Sequence, residues 1–171
     1  GHTAAWFVGM PELASGSGPY SIGRRWGVFP PTMDPTKEST YTFLASFIAE
    51  MGTLFPDKYW HIGGDEVDPN TTEWKTSPHI QAFMKAHKYA TTDELQTYFN
   101  QRLIPLLTKN GKEVVGWDEI LQPDLPSKAV IQSWRGSNYL VDAAKQGRRA
   151  ILSAPYYLDH IKTAGDHYLS D

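Results

Sequence analysis

The residues best suited to chemistry lie in one short stretch, His61 to Glu66, where two glycines precede two adjacent acids. Glycine lets a backbone turn tightly and approach a ligand closely, so Asp65 and Glu66 can serve different parts of one substrate. Neighbouring carboxylates also repel each other, which favours keeping one of them protonated. A protonated carboxyl near neutral pH is what general-acid cleavage of a glycosidic bond requires. The plainer interpretation is a polar turn with a helix-capping acid.

Aromatic and acidic residues that could contact a sugar occur later in the chain. These candidates are Trp117, Trp134, Tyr157 and Asp159. Sugars present flat C–H faces that stack on indole and phenol rings, and the chain contains six tryptophans and nine tyrosines. Because most aromatic residues simply fill a core, this enrichment favours a carbohydrate site only weakly.

The composition is that of an ordinary water-soluble globular domain, with 171 residues of which 40% are hydrophobic and 20% charged. The net charge of −3 argues against a nucleic-acid partner, and the basic pairs at 24–25 and 148–149 are too short for a polyanion site. The absence of cysteine excludes disulfides and thiolate chemistry. No apolar run approaches the roughly 18 residues of a membrane span. We expect no cofactor and no metal, because no second histidine or cysteine cluster accompanies the acids.

Short apolar strands alternate with amphipathic helices along the chain. The sequence predicts strands over 59–62, 113–117, 129–134 and 150–153, and helices over 35–54, 78–87, 93–110 and 138–146. Asp34 followed by Pro35 predicts the N-cap and the first residue of the first helix. The segment 14–33 is dense in glycine, proline and serine, which indicates a long loop.

This alternation predicts an α/β fold with a buried parallel sheet. The candidate site residues all lie just past the carboxyl end of a predicted strand. In a (β/α)8 barrel those ends converge on one rim, whereas a doubly wound sheet binds ligands at a single crevice. We therefore predict a partial (β/α)8 TIM barrel, roughly its middle-to-late β/α units, with residues 1–171 in a single catalytic domain. A full barrel typically needs about 250 residues.

The stretch His61-Ile62-Gly63-Gly64-Asp65-Glu66 resembles the signature His-x-Gly-Gly-Asp-Glu of the family 20 glycoside hydrolases, the β-N-acetylhexosaminidases. Other stretches resemble the family's segments in the family's order. They are Gly1-His2-Thr3, Gly116-Trp117-Asp118-Glu119, Gln132-Ser133-Trp134 and Tyr157-Leu158-Asp159. The resemblance covers essentially the whole chain.

The resemblance implies removal of terminal N-acetylhexosamines by a retaining mechanism in which the substrate supplies the nucleophile. The 2-acetamido oxygen attacks the anomeric carbon and forms a cyclic oxazolinium ion. By this resemblance Glu66 protonates the leaving oxygen and later activates water. Asp65 accepts a hydrogen bond from the acetamido N–H, and Tyr157 donates its hydroxyl to the acetamido oxygen.

The resemblance also implies four supporting roles. Trp117 and Trp134 would wall the acetamido pocket, and Asp159 would bind sugar hydroxyls. His2 would lie near the acid carboxylate, and His61 would support the loop rather than carry a proton. The expected ligand is an N-acetylhexosamine-containing glycan or chitooligosaccharide, with no nucleic acid.

Each assignment has an alternative that the sequence leaves open. The tryptophans could be core residues, Tyr157 could be a buried hydrogen-bonded tyrosine with Tyr156 in its place, and Asp159 could cap a helix. The whole chain could be a non-catalytic glycan-binding module, an inactive barrel fragment, or a related enzyme that cleaves chitin or peptidoglycan internally.

The family's early-strand arginine and late-strand tryptophan have no counterpart among these residues, so we expect the chain to begin after the third strand and stop before the last. Uncovered strand edges invite pairing, and a second chain or the missing segments would complete the barrel. Full activity is expected only when something does so. The resemblance favours a secreted or periplasmic location, which the residues themselves leave open.

Overall fold

The computed structural model describes residues 2–67, 73–154, 157 and 159–169. They form two compact units: Gly1–Lys58 with Glu66–Lys112, and Tyr59–Asp65 with Glu113–Asp171. That all 171 residues belong to one catalytic domain stays a prediction.

The second unit is built on a four-stranded parallel sheet. Its strands are β1 (Tyr59–His61), β2 (Glu113–Trp117), β3 (Val130–Ser133) and β4 (Ala150–Leu152). Trp60 pairs with Val114 between the first two strands, and the later pairs continue the parallel register. The predicted strands are therefore confirmed, with ends that differ by at most one residue.

The order of the strands in the sheet is their order in the chain, β1-β2-β3-β4. A doubly wound sheet reverses its strand order at a switch point, whereas a (β/α)8 barrel adds each new strand beside the previous one. The consecutive order confirms the predicted α/β fold as part of a (β/α)8 barrel. It also brings all four strand ends to the same edge, because the strands are parallel.

Apolar side chains of the strands are buried, as they are in the sheet of a (β/α)8 barrel. Val114, Val130 and Ile131 are buried, and Ile131 has no exposed surface. Helix α4 (Ser137–Lys145) packs against β3 and β4, with Ala143 fully buried. Burying apolar side chains at about 25 cal/mol per Å2 is the main contribution to holding such a layer together.

The first unit is mainly helical. Helix α1 (Glu38–Leu54) packs against α3 (Thr92–Lys109), and Arg102 joins them by a two-pronged ion pair with Glu38 at 2.7 and 2.8 Å. Helix α2 (Pro78–His87) contributes to a core cluster. Its buried members are Trp74, Ile80, Met84 and Leu95.

A short helix, α5 (Ala164–Tyr168), lies near the carboxyl end of the second unit. Short 3-10 helices cover Ala4–Val8, Pro11–Leu13, Glu73–Lys75 and Asp118–Ile120. In the described part of the chain, every helix falls short of the length and apolarity needed to cross a bilayer.

The predicted start of α1 is wrong. Asp34 does not cap the helix, which begins at Glu38. The buried Asp34 carboxylate instead accepts hydrogen bonds from the backbone and hydroxyl of Thr36, and lies 3.2 Å from His79. This local turn and its distant partner use the oxygen atoms that a cap would need, so the helix starts three residues later than predicted.

Helix α3 begins with a capping box. The N-cap is Thr91, and its side chain and that of Glu94 each accept a hydrogen bond from the other's backbone N–H. The helix runs through Pro105 to Lys109, and Gly111 follows with a φ of 72°. Pro105 therefore does not end this helix.

Segment 14–33 has no regular helix or strand, as predicted, but it is closed at its base. Ala14 bridges Met33, and the Ser15 backbone and hydroxyl both donate to the Thr32 carbonyl. The Trp74 indole donates to the Met33 carbonyl at 3.0 Å. These bonds tie both ends of the loop to the first unit.

Gly116 tests how tightly β2 is packed. A Cβ built there would lie 2.5 Å from Ile120 Cδ1 and 3.1 Å from the Gly63 oxygen. We expect Gly116→Ala to lower the free energy of unfolding by about 1–3 kcal/mol, measured by urea denaturation, because overpacking forces neighbours to move.

Adding Ile120→Val to Gly116→Ala should restore part of this loss, since it removes the Cδ1 atom that clashes. Gly9→Ala is the matched control, because only the Trp6 oxygen lies within 4 Å of a Cβ built there. A Gly116→Ala protein as stable as Gly9→Ala would contradict the close packing described here.

Candidate active site

The loop after β1 has an unusual backbone. Gly63 and Gly64 have φ values of 69° and 97°, and Glu66 has a φ of 51°. A residue with a side chain seldom adopts this left-handed conformation, which costs roughly 1–2 kcal/mol relative to the right-handed one. Such residues cluster at functional sites when the surrounding structure holds them in place. The strained backbone at Glu66 therefore marks this loop as a candidate functional site.

His61 stabilises the turn. Its Nδ1 accepts a hydrogen bond from the Gly63 N–H at 3.0 Å, so the ring carries its proton on Nε2 when neutral. The ring also meets Trp117 edge-on, with 4.9 Å between centroids. Partial desolvation lowers the pKa of His61, while the charge of Asp65 and a hydrogen bond to Gln132 oppose this effect. The neutral ring is the form that the turn needs.

Two tryptophans stand at the ends of β2 and β3. Trp117 and Trp134 are both half-buried, and their rings meet edge-to-face with centroids 6.5 Å apart. The backbone N–H of Trp117 donates to the Gly63 oxygen at 2.9 Å, so the backbone that carries the first indole is bonded to the β1 loop. Neither ring is enclosed as a core residue would be, and together with His61 they form a row of aromatic faces.

Asp118 and Glu119, which the sequence analysis names only as part of a motif, hold Trp134 in place through hydrogen bonds. Glu119 accepts from Trp134 Nε1 with both carboxylate oxygens, at 3.0 and 3.2 Å. Asp118 is buried and accepts from the backbone N–H groups of Trp134 and Arg135 and from the Arg135 guanidinium. Burial raises the pKa of Glu119, assisted by Asp118 and opposed by the Trp134 bond and Arg135.

Sequence reasoning assigned no role to Glu119 or Arg135. The available signal was a pair of consecutive acids at a strand end, one strand away from an indole donor. A buried indole N–H usually has a hydrogen-bond acceptor, and a carboxylate at the end of the neighbouring strand is the expected one.

The fourth strand is followed by Tyr157, which is half-buried. Burial raises the pKa of Tyr157; a hydrogen bond with Ser153 opposes the rise, and the charges of Asp159, Asp65 and Asp118 add to it. Because the four strands are parallel and consecutive, Tyr157 follows β4 at the same edge of the sheet where Asp65 follows β1. Its ring stacks on His160 at 5.5 Å. Tyr156, the alternative to Tyr157, lies outside the described residues.

Asp159 is exposed and does not cap a helix. The helix nearest to it, α5, begins at Ala164 with Thr163 as its cap. That alternative is therefore wrong, and the exposed carboxylate of Asp159 is accessible to a ligand.

Glu66 belongs to the first unit, where its carboxylate lies 3.0 Å from His2 Nε2. Both side chains are partly exposed, at 36% for Glu66 and 55% for His2. Within the second unit, the chain brings together the other candidate residues of the site. They are His61, Asp65, Trp117, Trp134, Tyr157 and Asp159.

Comparison with known families identifies this arrangement. The family described as "Glycosyl hydrolase family 20, catalytic domain" matches residues 1–169, nearly the whole chain. The chain belongs to glycosyl hydrolase family 20. The expected resemblance is therefore confirmed.

Two curated relatives illustrate the family 20 match. The chain is 37% identical to the beta-hexosaminidase subunit alpha of Rattus norvegicus, over 97% of this chain and 32% of that protein. It is 35% identical to the beta-hexosaminidase of Porphyromonas gingivalis, over 94% of this chain and 21% of that protein. The chain thus spans a third or less of the length of these relatives.

Solved family 20 structures show the same fold. The chitobiase of Flavobacterium johnsoniae has a TM-score of 0.92 and 43% identity. The match covers 100% of this chain and 27% of the chitobiase chain. The exo-β-N-acetylglucosaminidase of Vibrio harveyi, solved with N-acetylglucosamine, has a TM-score of 0.72 and 29% identity over 86% of this chain and 23% of its own.

The contact between Glu119 and Trp134 can be tested by stability. Glu119→Ala leaves the indole N–H without its acceptor and should lower the free energy of unfolding by about 1.5–3 kcal/mol, the range for a hydrogen bond to a charged group. Glu119→Gln retains one carbonyl oxygen and should lose less. Urea denaturation measures the loss, and near-ultraviolet circular dichroism reports the order of the indole.

Glu50→Ala, on the exposed face of α1, is the matched control and should stay within about 0.5 kcal/mol of the native chain. Equal losses in Glu119→Ala and Glu119→Gln, with an unchanged tryptophan spectrum, would show that Glu119 does not hold the ring.

Acid should destabilise the His61 turn. Because the pKa of His61 is lowered in the folded chain, its contribution is complete above the ordinary value of 6.5 and is lost as pH falls toward the lower folded pKa. His61→Asn keeps an acceptor oxygen for Gly63 and does not titrate. Its melting temperature should therefore fall less than that of the native chain between pH 7.5 and 5, and parallel curves would refute this linkage.

Proposed function

We propose that the protein carrying this chain is a β-N-acetylhexosaminidase, which hydrolyses terminal non-reducing GlcNAc or GalNAc from glycans, including chitin-derived oligosaccharides. Membership of family 20 supports the reaction class. The relative solved with N-acetylglucosamine supports the acetamido sugar as the ligand. The observation that carries the proposal is the grouping of Asp65, two tryptophans and Tyr157 at one edge of the sheet.

Asp65 and Tyr157 are suited to opposite ends of one acetamido group. A carboxylate accepts the acetamido N–H, and a phenol hydroxyl donates to the acetamido oxygen. Burial raises the pKa of Tyr157, and the charge of Asp65 adds to this effect, so the phenol is protonated and able to donate. Held this way, the oxygen attacks the anomeric carbon, and Asp65 offsets the positive charge that develops on the oxazolinium ring.

The indoles of Trp117 and Trp134 wall the acetamido pocket. Their edge-to-face contact and their half-buried faces suit a small methyl-bearing group. The wall excludes water from this pocket. It also positions the amide oxygen beside the anomeric carbon, which favours attack by the amide. Glu119 acts behind the wall as a positioning residue, since it contacts the indole N–H.

Glu66 is the general acid and base. It protonates the leaving glycosidic oxygen, then removes a proton from the water that opens the oxazolinium ring. His2, 3.0 Å away, is a partner that can stabilise the carboxylate between the two steps. The strained backbone at Glu66 supports this role, because it aims one acid differently from its neighbour.

A non-catalytic glycan-binding module is the alternative. Binding an acetamido sugar needs Asp65 and the aromatic wall, but no proton donor. The presence of Glu66 beside His2 favours the enzyme, and replacing Glu66 separates the two proposals.

Glu66→Gln should lower kcat for 4-nitrophenyl N-acetyl-β-glucosaminide by about 100- to 10,000-fold, the usual contribution of general acid–base catalysis. Binding of a thiazoline analogue of the cyclic intermediate, measured by calorimetry, should survive. Glu50→Gln, on the exposed face of α1, is the matched control and should retain activity.

A second substrate tests the internal nucleophile. The corresponding β-glucoside lacks the acetamido group and should not be hydrolysed at a measurable rate. Turnover of both substrates at similar rates would refute the substrate-assisted mechanism. Sugar binding without turnover in the native protein would favour the binding module.

A further inference from the structure

Arg135 lies in the turn between β3 and α4, and its side chain contacts two acids and an aromatic ring. Its Nε donates to the buried Asp118 carboxylate and lies 3.8 Å from Glu119 Oε1. Its guanidinium carbon lies 4.1 Å from the centroid of the Tyr139 ring, in the first turn of α4. One cation is therefore held between two adjacent acids and an aromatic face, all within the second unit.

The same two acids determine where Trp134 lies. Asp118 accepts from the backbone N–H of Trp134 at 3.0 Å, which fixes the chain where it leaves β3. Glu119 accepts from the indole Nε1 at 3.0 and 3.2 Å, which fixes the direction of the ring. The position and the direction of this indole thus depend on two carboxylates that share one cation.

Without that cation the two acids would be poor acceptors. The Asp118 side chain has no exposed surface and that of Glu119 is 18% exposed, so two unpaired negative charges here would be strongly unfavourable. Burial raises the pKa of Glu119, and the charge of Arg135 opposes this rise. Arg135 therefore favours the ionised carboxylate, which accepts a stronger hydrogen bond than the neutral acid does.

The ring of Tyr139 makes the contact specific for arginine. A planar guanidinium can lie over an aromatic face while its N–H groups point at carboxylates, whereas a lysine ammonium supplies only a point charge on a flexible stem. The ring thus limits the directions that the Arg135 side chain can take. This geometry is transmitted to Trp134 by the two acids.

We propose that Arg135 is a positioning residue that sets the size of the acetamido pocket, and with it the selectivity for an N-acetyl group over a larger N-acyl group. It acts through Asp118 and Glu119 on the indole of Trp134. The proposal rests on the proposed function, because it uses the assignment of Trp134 to the wall of that pocket.

Two substrates that differ by one methylene test the proposal. They are 4-nitrophenyl N-acetyl-β-glucosaminide and its N-propanoyl counterpart. The native protein should show kcat/KM at least about tenfold higher for the N-acetyl substrate, the lower end of what one methylene is worth in a hydrophobic pocket.

Arg135→Gln should reduce this preference. It should lower kcat/KM for the N-acetyl substrate by about 10- to 100-fold, mainly through kcat, because a slightly displaced amide attacks poorly. The N-propanoyl substrate should lose less, since a loosened wall admits the larger group, so the ratio of the two values should approach one. Arg135→Lys keeps the charge without the planar group and should give an intermediate ratio.

A double variant separates selectivity from folding. Arg135→Gln leaves a buried carboxylate without its cation, which can prevent folding. Asp118→Asn/Arg135→Gln removes both charges and should fold, as checked by far-ultraviolet circular dichroism. Because Glu119 still lacks its cation, this variant should also show the reduced preference.

Arg149→Gln is the matched control. Arg149 pairs with Glu113 at 2.8 Å and donates to Tyr59 at 2.8 Å. Glu113 and Tyr59 are the first residues of their strands, so this pair lies at the opposite edge of the same sheet. The control removes an arginine–carboxylate pair from the same unit and should keep the native preference for the N-acetyl substrate.

The outcomes are distinct. A reduced ratio in the Asp118→Asn/Arg135→Gln protein, with a native ratio in Arg149→Gln, supports the role of Arg135. A native ratio in the folded double variant, equal losses on both substrates, or the same loss of preference in Arg149→Gln overturns that role and leaves the proposed function standing. Absence of turnover of both substrates by the native protein overturns the proposed function and this inference together.

Discussion

The site depends on a close approach between two stretches of backbone in the second unit. Trp117 donates its N–H to the Gly63 oxygen at 2.9 Å, which continues the pairing of β1 and β2 beyond the end of β1. A Cβ at Gly116 would collide with Ile120 Cδ1 and lie only 3.1 Å from that oxygen, so glycine fits this contact best. Because the acid-bearing loop and the first indole are joined here, the position of Asp65 relative to Trp117 is set by backbone geometry. Side-chain packing then refines it.

The two acids that contact Trp134, Asp118 and Glu119, have different partners. Asp118 is buried, and an isolated buried carboxylate would be strongly unfavourable, but the Arg135 guanidinium and two backbone donors neutralise it. Glu119 is less buried and contacts the Trp134 indole instead. Adjacent acids thus have different tasks: one anchors the turn after β3, and the other orients a ring of the wall.

The strands and most helices were predictable because their signals are local. Period-two burial along β2 and the composition of 14–33 depend on neighbours in the sequence. The prediction that Asp34 caps the helix was wrong in part because its carboxylate contacts His79, 45 residues away, and no local sequence pattern indicates that contact. Glu119 was missed for a related reason: a motif shows that an acid follows a strand, but the direction of an indole N–H on the next strand depends on the sheet. The aromatic and acidic candidates at the strand ends were recognisable only because parallel strands share one edge.

The strained loop explains how neighbouring residues can have different functions. Along an extended strand, successive side chains point to opposite faces, and two adjacent acids could not both serve one small ligand. The positive φ values at Gly63, Gly64 and Glu66 break this alternation immediately after β1. Two of these positions are glycines, where the conformation costs little, so the strain is concentrated at Glu66. The left-handed conformation of Glu66 costs roughly 1–2 kcal/mol, and the proposed role of Glu66, delivering a proton to one particular oxygen, is one in which the direction of the side chain outweighs that cost.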